Sequence, residues 1–181
     1  MDVPGLTAAR DRPVRTDDDG RRSRPGPRLD LAQGAHGGDT RPVPHRRISG
    51  HAPMEPRVGY SRAVVAGRQV FVSGTAPIPA DGSAPPEGAY DQARLCLEII
   101  AGALEQAGAS LDDVVRTRIY VVPGVDFDEV ARAHGEVFGD IRPATAGLVV
   151  HALLDPRWLV EVEADAILPE PNGRPAPLEE R

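Results

Sequence analysis

The side chains best suited to chemistry are charged residues that alternate along two predicted β-strands. In residues 114–122, β-branched residues point to one side and polar residues to the other, so Arg116 and Arg118 share a face. In residues 159–167, three carboxylates share a face in the same way: Glu161, Glu163 and Asp165. Two interpretations stay open, a polar cleft in which Arg118 holds the anionic end of a ligand, or a charge-balanced sheet face buried at a subunit interface. The balance of charge favours the second.

Other kinds of chemistry are excluded by the residue types that the chain lacks. All 21 basic residues are arginine, so a Schiff-base or lysine-nucleophile mechanism is impossible. Cys96 is the only cysteine, which rules out an intrachain disulfide and a cysteine-based metal cluster. No group of His, Cys and carboxylate residues has metal-ligand spacing, so we expect no metal site. His134 falls on the apolar face of a predicted helix and is interpreted as a packing residue.

Composition divides the 181-residue chain near residue 57. Residues 1–57 hold 11 arginines and 8 acidic residues among many Pro and Gly, without apolar periodicity, so we predict a disordered tail. Residues 1–53 are interpreted as a start-site artefact, with the true start at Met54; the alternative is a real disordered extension. Residues 58–168 are predicted to form the folded domain and residues 169–181 a second tail.

Charge and hydropathy also limit the partners and the location of the protein. Residues 58–181 hold 10 arginines and 19 acidic residues, which argues against nucleic acid or an anionic membrane as the main partner. No apolar run reaches the roughly 18 residues that a membrane span needs. The N-terminus lacks the apolar segment of a signal peptide, so the expected location is the cytoplasm.

Hydrophobic periodicity predicts five strands and two helices in the domain. The strands are a hairpin within residues 63–74 that turns at Gly67, followed by residues 114–122, 145–152 and 159–167; the helices are residues 90–107 and 126–137. Gly108 ends the first helix, and Ser110 with Asp113 is typical of a capping box. The order ββαβαββ predicts an α+β fold with both helices on one face of the sheet.

Four local motifs resemble those of one protein family in their order and spacing. They are Gly59-Tyr60-Ser61-Arg62-Ala63-Val64, then Val70-Phe71-Val72-Ser73-Gly74, then the run from Ala107 to Val115 that leads into a Thr-x-Ile-Tyr-Val strand, and finally Leu159-Val160-Glu161-Val162-Glu163-Ala164. The first motif lacks the proline of the family's Gly-Pro-Tyr-Ser. Taken together, the motifs cover residues 58–168 and resemble the RidA/YjgF family.

This resemblance implies a chorismate-mutase-like (RidA-like) mixed sheet with two helices packed on one face. It also implies a homotrimer with small-molecule sites between subunits and neither a metal nor an organic cofactor. Enzymes of the family hydrolyse reactive 2-imino acids to 2-keto acids and ammonia. By resemblance, Glu161 matches the glutamate that positions the attacking water, Tyr60 matches the cleft tyrosine, and Ser73 and Gly74 match the pair whose backbone faces the ligand.

Three ligand-side positions depart from the family pattern: Ala131 replaces an asparagine of the second helix, Gly147 replaces a cysteine, and the third, Thr145, matters most. The family's Pro-Ala-Arg-Ser motif supplies an arginine that grips the substrate carboxylate, whereas this chain reads Pro143-Ala144-Thr145-Ala146. A bidentate Arg–carboxylate contact contributes on the order of 1.5–3 kcal/mol, which the Thr145 hydroxyl cannot replace. Either another arginine supplies the charge, with Arg118 the best placed by strand alternation, or the ligand has no carboxylate there.

The resulting hypothesis is a RidA-like hydrolase that deaminates imines or enamines to keto compounds and ammonia, with a non-standard substrate. The alternative is a non-catalytic trimer that binds a small metabolite or docks a partner protein. Candidate substrate-binding residues are Tyr60, Ser73, Gly74, Thr145 and Arg118.

Overall fold

The computed structural model describes residues 45–50 and 52–170. These residues form six strands, three helices and one short 3₁₀ turn. In chain order the elements are β1 (His45–Ile48), α1 (Met54–Val58), β2 (Ala63–Ala66), β3 (Gln69–Thr75), α2 (Ala89–Ala107), the 3₁₀ turn (Leu111–Asp113), β4 (Val114–Val121), α3 (Phe127–Phe138), β5 (Ala144–Val149) and β6 (Val160–Ile167).

All six strands belong to one mixed sheet in the order β1-β2-β3-β6-β4-β5. Strands β4 and β5 are parallel and joined through α3, whereas the other neighbouring pairs are antiparallel. Helix α2 packs on β3 and β6, and α3 packs beside α2. The predicted α+β fold with two helices on one face is therefore confirmed. We call that side of the sheet the helix face and the opposite side the open face.

The predicted apolar stripe of the first long helix forms the centre of the core. Ile100 and Leu104 of α2 are fully buried, and they belong to one cluster with Val70 of β3 and Val162 of β6. Burying each such side chain contributes about 1.5–3 kcal/mol. Gly108 ends α2 as predicted, with a φ of 85° that favours glycine over other residues.

The predicted boundary of the domain at residue 57 is wrong, because the sheet begins at His45. Strand β1 pairs along its whole length with β2, and its last residue, Ile48, enters the core with only 6% of its surface exposed. No hydrophobic periodicity marks this strand, since the other three residues of β1 are polar and exposed. The remaining parts of the predicted tails, residues 1–44 and 171–181, lie outside the described residues.

Side-chain contacts also connect this early segment to the domain. Arg46 donates from Nη1 to the Gln106 carbonyl at 2.9 Å, near the C-terminus of α2, where a positive charge is favourable to the helix dipole. Glu55 of α1 accepts hydrogen bonds from the Ser49 hydroxyl and the Gly50 amide, both at 2.7 Å. Residues before Met54 therefore contribute to the same folded unit as the rest of the sheet.

A chain that starts at Met54 is expected to be clearly less stable than residues 41–181. It loses the buried Ile48 side chain, worth about 1.5–3 kcal/mol, and it exposes the pairing edge of β2. Urea unfolding of the two chains measures the difference directly. Equal unfolding midpoints would show that β1 contributes nothing and that the predicted start at Met54 is compatible with the fold.

Candidate active site

Glu161 lies near the start of β6 on the open face of the sheet and is half-buried. It stands opposite Tyr120 of β4, one pair from the end of the antiparallel ladder. Its carboxylate rests against the backbone of Gly74: a Cβ atom added at Gly74 would lie only 2.2 Å from Glu161 Oε1. The pairing of β3 with β6 shifts between Val72 and Thr75, so Gly74 sits in an irregular part of the strand. Gly74 thus leaves the space that the carboxylate fills.

The surroundings of Glu161 favour its protonated form. Burial raises the pKa of this carboxyl most, and the nearby Glu163 carboxylate raises it further. Arg62 works in the opposite direction but does not cancel these two effects, so the pKa stays above the usual value for glutamate. A carboxylate with a raised pKa is a better proton acceptor near neutral pH than an exposed one.

Ser73 joins the same region, but its hydroxyl is already used within the fold. It donates to the Ser61 carbonyl at 2.8 Å, and the Ser73 amide donates to the Arg62 carbonyl at 3.0 Å. These bonds tie the end of β3 to the segment before β2. The predicted group of Ser73, Gly74 and Glu161 is therefore brought together by the sheet.

Tyr60 lies in the loop that follows α1, next to Ser61, with 38% of its surface exposed. It lines an open concavity of about 520 Å³. The other residues that line it are Arg47, Ser49, Glu55, Pro56, Gly59 and Ser61. The four earliest of these fall in the predicted tail, so the sequence interpretation missed them.

Arg62 also lies in this region. It belongs to the first family motif, but the sequence predicted no function for it. Its Nη2 donates to the carbonyls of Ser73 at 2.8 Å and Gly74 at 2.7 Å. Burial lowers the pKa of its guanidinium, while Tyr60, Glu55 and Glu161 partly offset that effect. One feature of the sequence indicates this role: Arg62 directly follows the Tyr60-Ser61 pair of the first family motif.

Thr145 lies on the helix face, away from Glu161. In the parallel pairing of β4 and β5 it stands beside Thr117, which is fully buried, and the two hydroxyl oxygens are 2.9 Å apart. Residues paired in this way share a sheet face. Within one protomer, Thr145 is thus on the opposite face from Glu161, two strands away.

The Thr145 hydroxyl forms one end of a hydrogen-bonded chain that reaches α3. It donates to the Pro143 carbonyl at 3.0 Å, so its oxygen accepts the proton of Thr117. Thr117 in turn accepts from His134 Nε2 at 2.9 Å, which gives a neutral imidazole protonated at Nε2. Burial lowers the pKa of His134 and supports this neutral form. The prediction that His134 is a packing residue is confirmed, because its ring also contacts Phe138, with centroids 4.7 Å apart.

Arg118 is engaged in ion pairs on the open face. Its Nη1 lies 3.2 Å from Glu163 Oε2, and its Nη2 lies 3.3 Å from Asp165 Oδ2. This arrangement agrees with the charge-balanced sheet face of the second interpretation. The binding of a ligand anion by Arg118 stays a prediction, and such a ligand would have to compete with two carboxylates.

The described residues contain neither a metal-binding cluster nor a membrane-spanning helix. Among residues 45–50 and 52–170, no three His, Cys, Asp or Glu side chains are grouped so that they could hold a metal ion. Within the same residues, no helix combines the length and apolar character needed to cross a bilayer.

Comparison with known proteins identifies a family model and similar structures. Residues 50–168 match the family model described as Endoribonuclease L-PSP. A crystal structure from Mycobacterium tuberculosis, described as a member of the YjgF/YER057c/UK114 family, is 43% identical, with a TM-score of 0.63. The match covers 69% of this chain and 100% of that chain.

Two similar sequences come from a bacterium and a mammal. An uncharacterized protein of Streptomyces coelicolor is 36% identical over 121 residues, which are 67% of this chain and 90% of that protein. A 2-iminobutanoate/2-iminopropanoate deaminase of Mus musculus is 33% identical over 110 residues, which are 60% of this chain and 80% of that enzyme.

Proposed function

Because this chain belongs to the YjgF/RidA family, we propose that it is a hydrolase that deaminates reactive imines or enamines to keto compounds and ammonia. The observation that carries the proposal is the half-buried Glu161 carboxylate, which fits against Gly74 beside Ser73. The similarity to the mouse deaminase supports the same class of reaction. Neither a metal nor an organic cofactor is part of the proposal.

In the proposed reaction, water adds to the carbon of the C=N bond. Glu161 accepts a proton from that water and returns it to the nitrogen, which gives a carbinolamine. Glu161 then transfers the hydroxyl proton of the carbinolamine to the nitrogen, the C–N bond breaks as the C=O bond forms, and ammonia leaves. The raised pKa of Glu161 suits this exchange, since it brings the carboxyl closer to the working pH.

We also propose that the working unit is a homotrimer, because one protomer leaves the site incomplete. Thr145 and Glu161 lie on opposite faces of one sheet, so only a second copy can bring its Thr145 side to the Glu161 cleft. Phe71 and Leu148 lie on the open face with 43% and 45% of their surfaces exposed, which favours coverage by another subunit. Light scattering is expected to give the mass of three 19.3-kDa chains, and a monomer at micromolar concentration would contradict the trimer.

The reaction is tested by supplying 2-iminopropanoate in situ from a pyridoxal-phosphate lyase and measuring the rate of ammonia release with and without this protein. We expect a weak but protein-dependent acceleration, below that of a relative with arginine at the position of Thr145. An unchanged rate at saturating protein, together with an unchanged rate for enamines that lack a carboxylate, would favour the non-catalytic binding trimer instead.

Gly74→Ala is expected to lower kcat while leaving the fold nearly intact. The added methyl group would meet Glu161 Oε1 at 2.2 Å, so the carboxylate must move away from its position. This movement is inexpensive for stability, since the end of a flexible side chain gives way, but a misplacement of about 1 Å can cost roughly 10²-fold in rate. Gly102→Ala is the matched control, because an added Cβ there meets nothing within 4 Å. Unchanged turnover in Gly74→Ala would argue against catalysis by Glu161.

A further inference from the structure

We infer that Arg62 is a positioning residue, which holds the Glu161 carboxylate in place and in its charged form; this inference rests on the proposed hydrolase function. Arg62 directly precedes Ala63, whose side chain is fully buried on the helix face. From the bend just before β2, the Arg62 guanidinium reaches the carbonyls of Ser73 and Gly74, and the Glu161 carboxylate rests on Gly74.

The first part of this role is mechanical. The Nη2 group of Arg62 donates to two successive carbonyls, those of Ser73 and Gly74. Both residues lie between Val72 and Thr75, where the pairing of β3 with β6 is irregular, and so a side chain takes the place of regular strand pairing. Since the Glu161 carboxylate rests on Gly74, fixing this backbone also fixes the carboxylate.

The second part is electrostatic. Two charged groups act on the pKa of Glu161: Glu163 on its own strand, and Arg62. Burial raises the pKa of Tyr120 from β4 and of Cys96 from α2, and Glu161 in turn raises both further. Of the two charged groups that act on Glu161, Arg62 alone is positive. It therefore opposes the desolvation and the repulsion that favour a protonated Glu161.

The aliphatic part of Arg62 packs against the segment after β1, while its buried Nε has no hydrogen-bond partner among the described residues. A Cβ atom added at Gly50 would lie 3.2 Å from both Cβ and Cδ of Arg62, so the segment after β1 covers the aliphatic part of the side chain. The Glu55 carboxylate stabilises the guanidinium charge from the same side. Gly50 and Glu55 belong to the segment that was predicted to be a tail. They thus stabilise Arg62, which in turn fixes the backbone against which Glu161 rests.

The test combines a pH profile with a measurement that needs no activity. Arg62→Gln and Arg62→Lys are compared with wild type and with Arg94→Gln, which removes an equal charge from the outer surface of α2, where Arg94 lies 3.9 Å from Glu98. The carboxyl of Glu161 is titrated by ¹³C NMR, with its signal identified by its loss in Glu161→Gln. In parallel, kcat and KM are measured as a function of pH.

For Arg62→Gln we expect the Glu161 titration and the acid limb of kcat/KM to move together to higher pH, with kcat lower by about 10- to 100-fold. The lysine variant keeps the charge, but its side chain is one bond shorter and its ammonium group does not reach the position of Nη2 between the two carbonyls. Its titration should therefore stay near that of wild type while kcat still falls. Arg94→Gln should change neither quantity.

Three outcomes would overturn the inference. The first is an unchanged Glu161 titration in Arg62→Gln. The second is a wild-type kcat in Arg62→Lys, and this measurement tests the inference even if Arg62→Gln does not fold. The third is a rise in KM confined to substrates with a carboxylate, which would make Arg62 a direct substrate anchor. If wild type has no imine hydrolase activity, the proposed function fails, whereas the NMR titration still tests the action of Arg62 on Glu161.

Discussion

Replacing Glu161 by glutamine is expected to lower kcat for imine hydrolysis by roughly 10²- to 10⁴-fold without lowering the melting temperature at neutral pH. The loss of rate is the usual contribution of a positioned proton acceptor. Glutamine keeps the shape of the side chain, so it fits against Gly74 as glutamate does. KM should change much less than kcat, because the carboxylate contributes mainly to the transition state.

The effect of the same substitution on stability follows from the raised pKa of Glu161. A carboxyl whose pKa is higher in the folded state stabilises the fold fully below its unfolded pKa, and it loses that contribution as the pH rises through the folded pKa. At neutral pH the ionised Glu161 therefore costs stability, and glutamine removes this cost. The melting temperature of Glu161→Gln should equal or exceed that of wild type at pH 7, and the difference should vanish in acid.

Glu98→Gln is the matched control for both measurements. It also removes one negative charge, but from an exposed i,i+4 pair with Arg94 on α2. We expect no change in kcat and a loss of only about 0.2–0.5 kcal/mol in the free energy of unfolding. Retained turnover in Glu161→Gln, or a melting temperature well below that of Glu98→Gln at pH 7, would contradict the assignment of Glu161 as the desolvated proton acceptor.

The sequence predicted those parts of the fold that depend on the spacing of residues within a single helix, strand or turn. The stripe that includes Ile100 and Leu104 identified α2, because residues three to four apart on a helix share a face. The capping box was equally local: the Ser110 amide donates to Asp113 Oδ2 at 2.8 Å. Alternation likewise placed Arg118 on the face that carries its two carboxylate partners.

The parts that the sequence did not predict depend on pairing between distant segments. Strand β1 has one buried residue, Ile48, and becomes a strand only because β2 offers an edge to it. Arg62 acquires its partners from an irregularity in β3 that no sequence period marks. The direction of Thr145 follows from its parallel pairing with Thr117, and a parallel register across a helical crossover cannot be deduced from alternation in β5 alone.

Introducing the family's arginine by Thr145→Arg is expected to raise kcat/KM for 2-imino acids by roughly 10- to 100-fold. A charge-assisted, bidentate contact with the substrate carboxylate contributes about 1.5–3 kcal/mol, and each 1.4 kcal/mol corresponds to about a factor of ten. The Glu161 side of the cleft needs no change for this gain. The added side chain must reach a Glu161 cleft on another protomer, because the two positions lie on opposite faces of one sheet.

Thr145→Arg is also expected to lower the stability of the fold, because it removes the Thr145 hydroxyl. Thr117 is fully buried and now donates its proton to Thr145, so without that acceptor it must donate to His134 Nε2. The imidazole proton then moves to Nδ1, and the two hydrogen bonds of the Thr145 hydroxyl are lost. The partly buried bond with Thr117 costs about 1 kcal/mol, and the exposed bond with the Pro143 carbonyl costs less because water replaces it. This cost lowers the melting temperature only slightly, since β5 is an exposed edge strand with room for a long side chain.

Thr145→Val separates the arginine's charge from the loss of the hydroxyl. Valine gives up the same hydrogen bonds but adds no positive group, so it should not increase activity on 2-imino acids. The double variant Thr145→Arg with Glu161→Gln should lose the gain, because the arginine binds the substrate without supplying a proton acceptor. If Thr145→Arg assembles as a trimer and remains as inactive as Thr145→Val, the missing clamp is not what limits the site. With an inactive wild type as well, that result would favour the small-metabolite-binding trimer over the hydrolase.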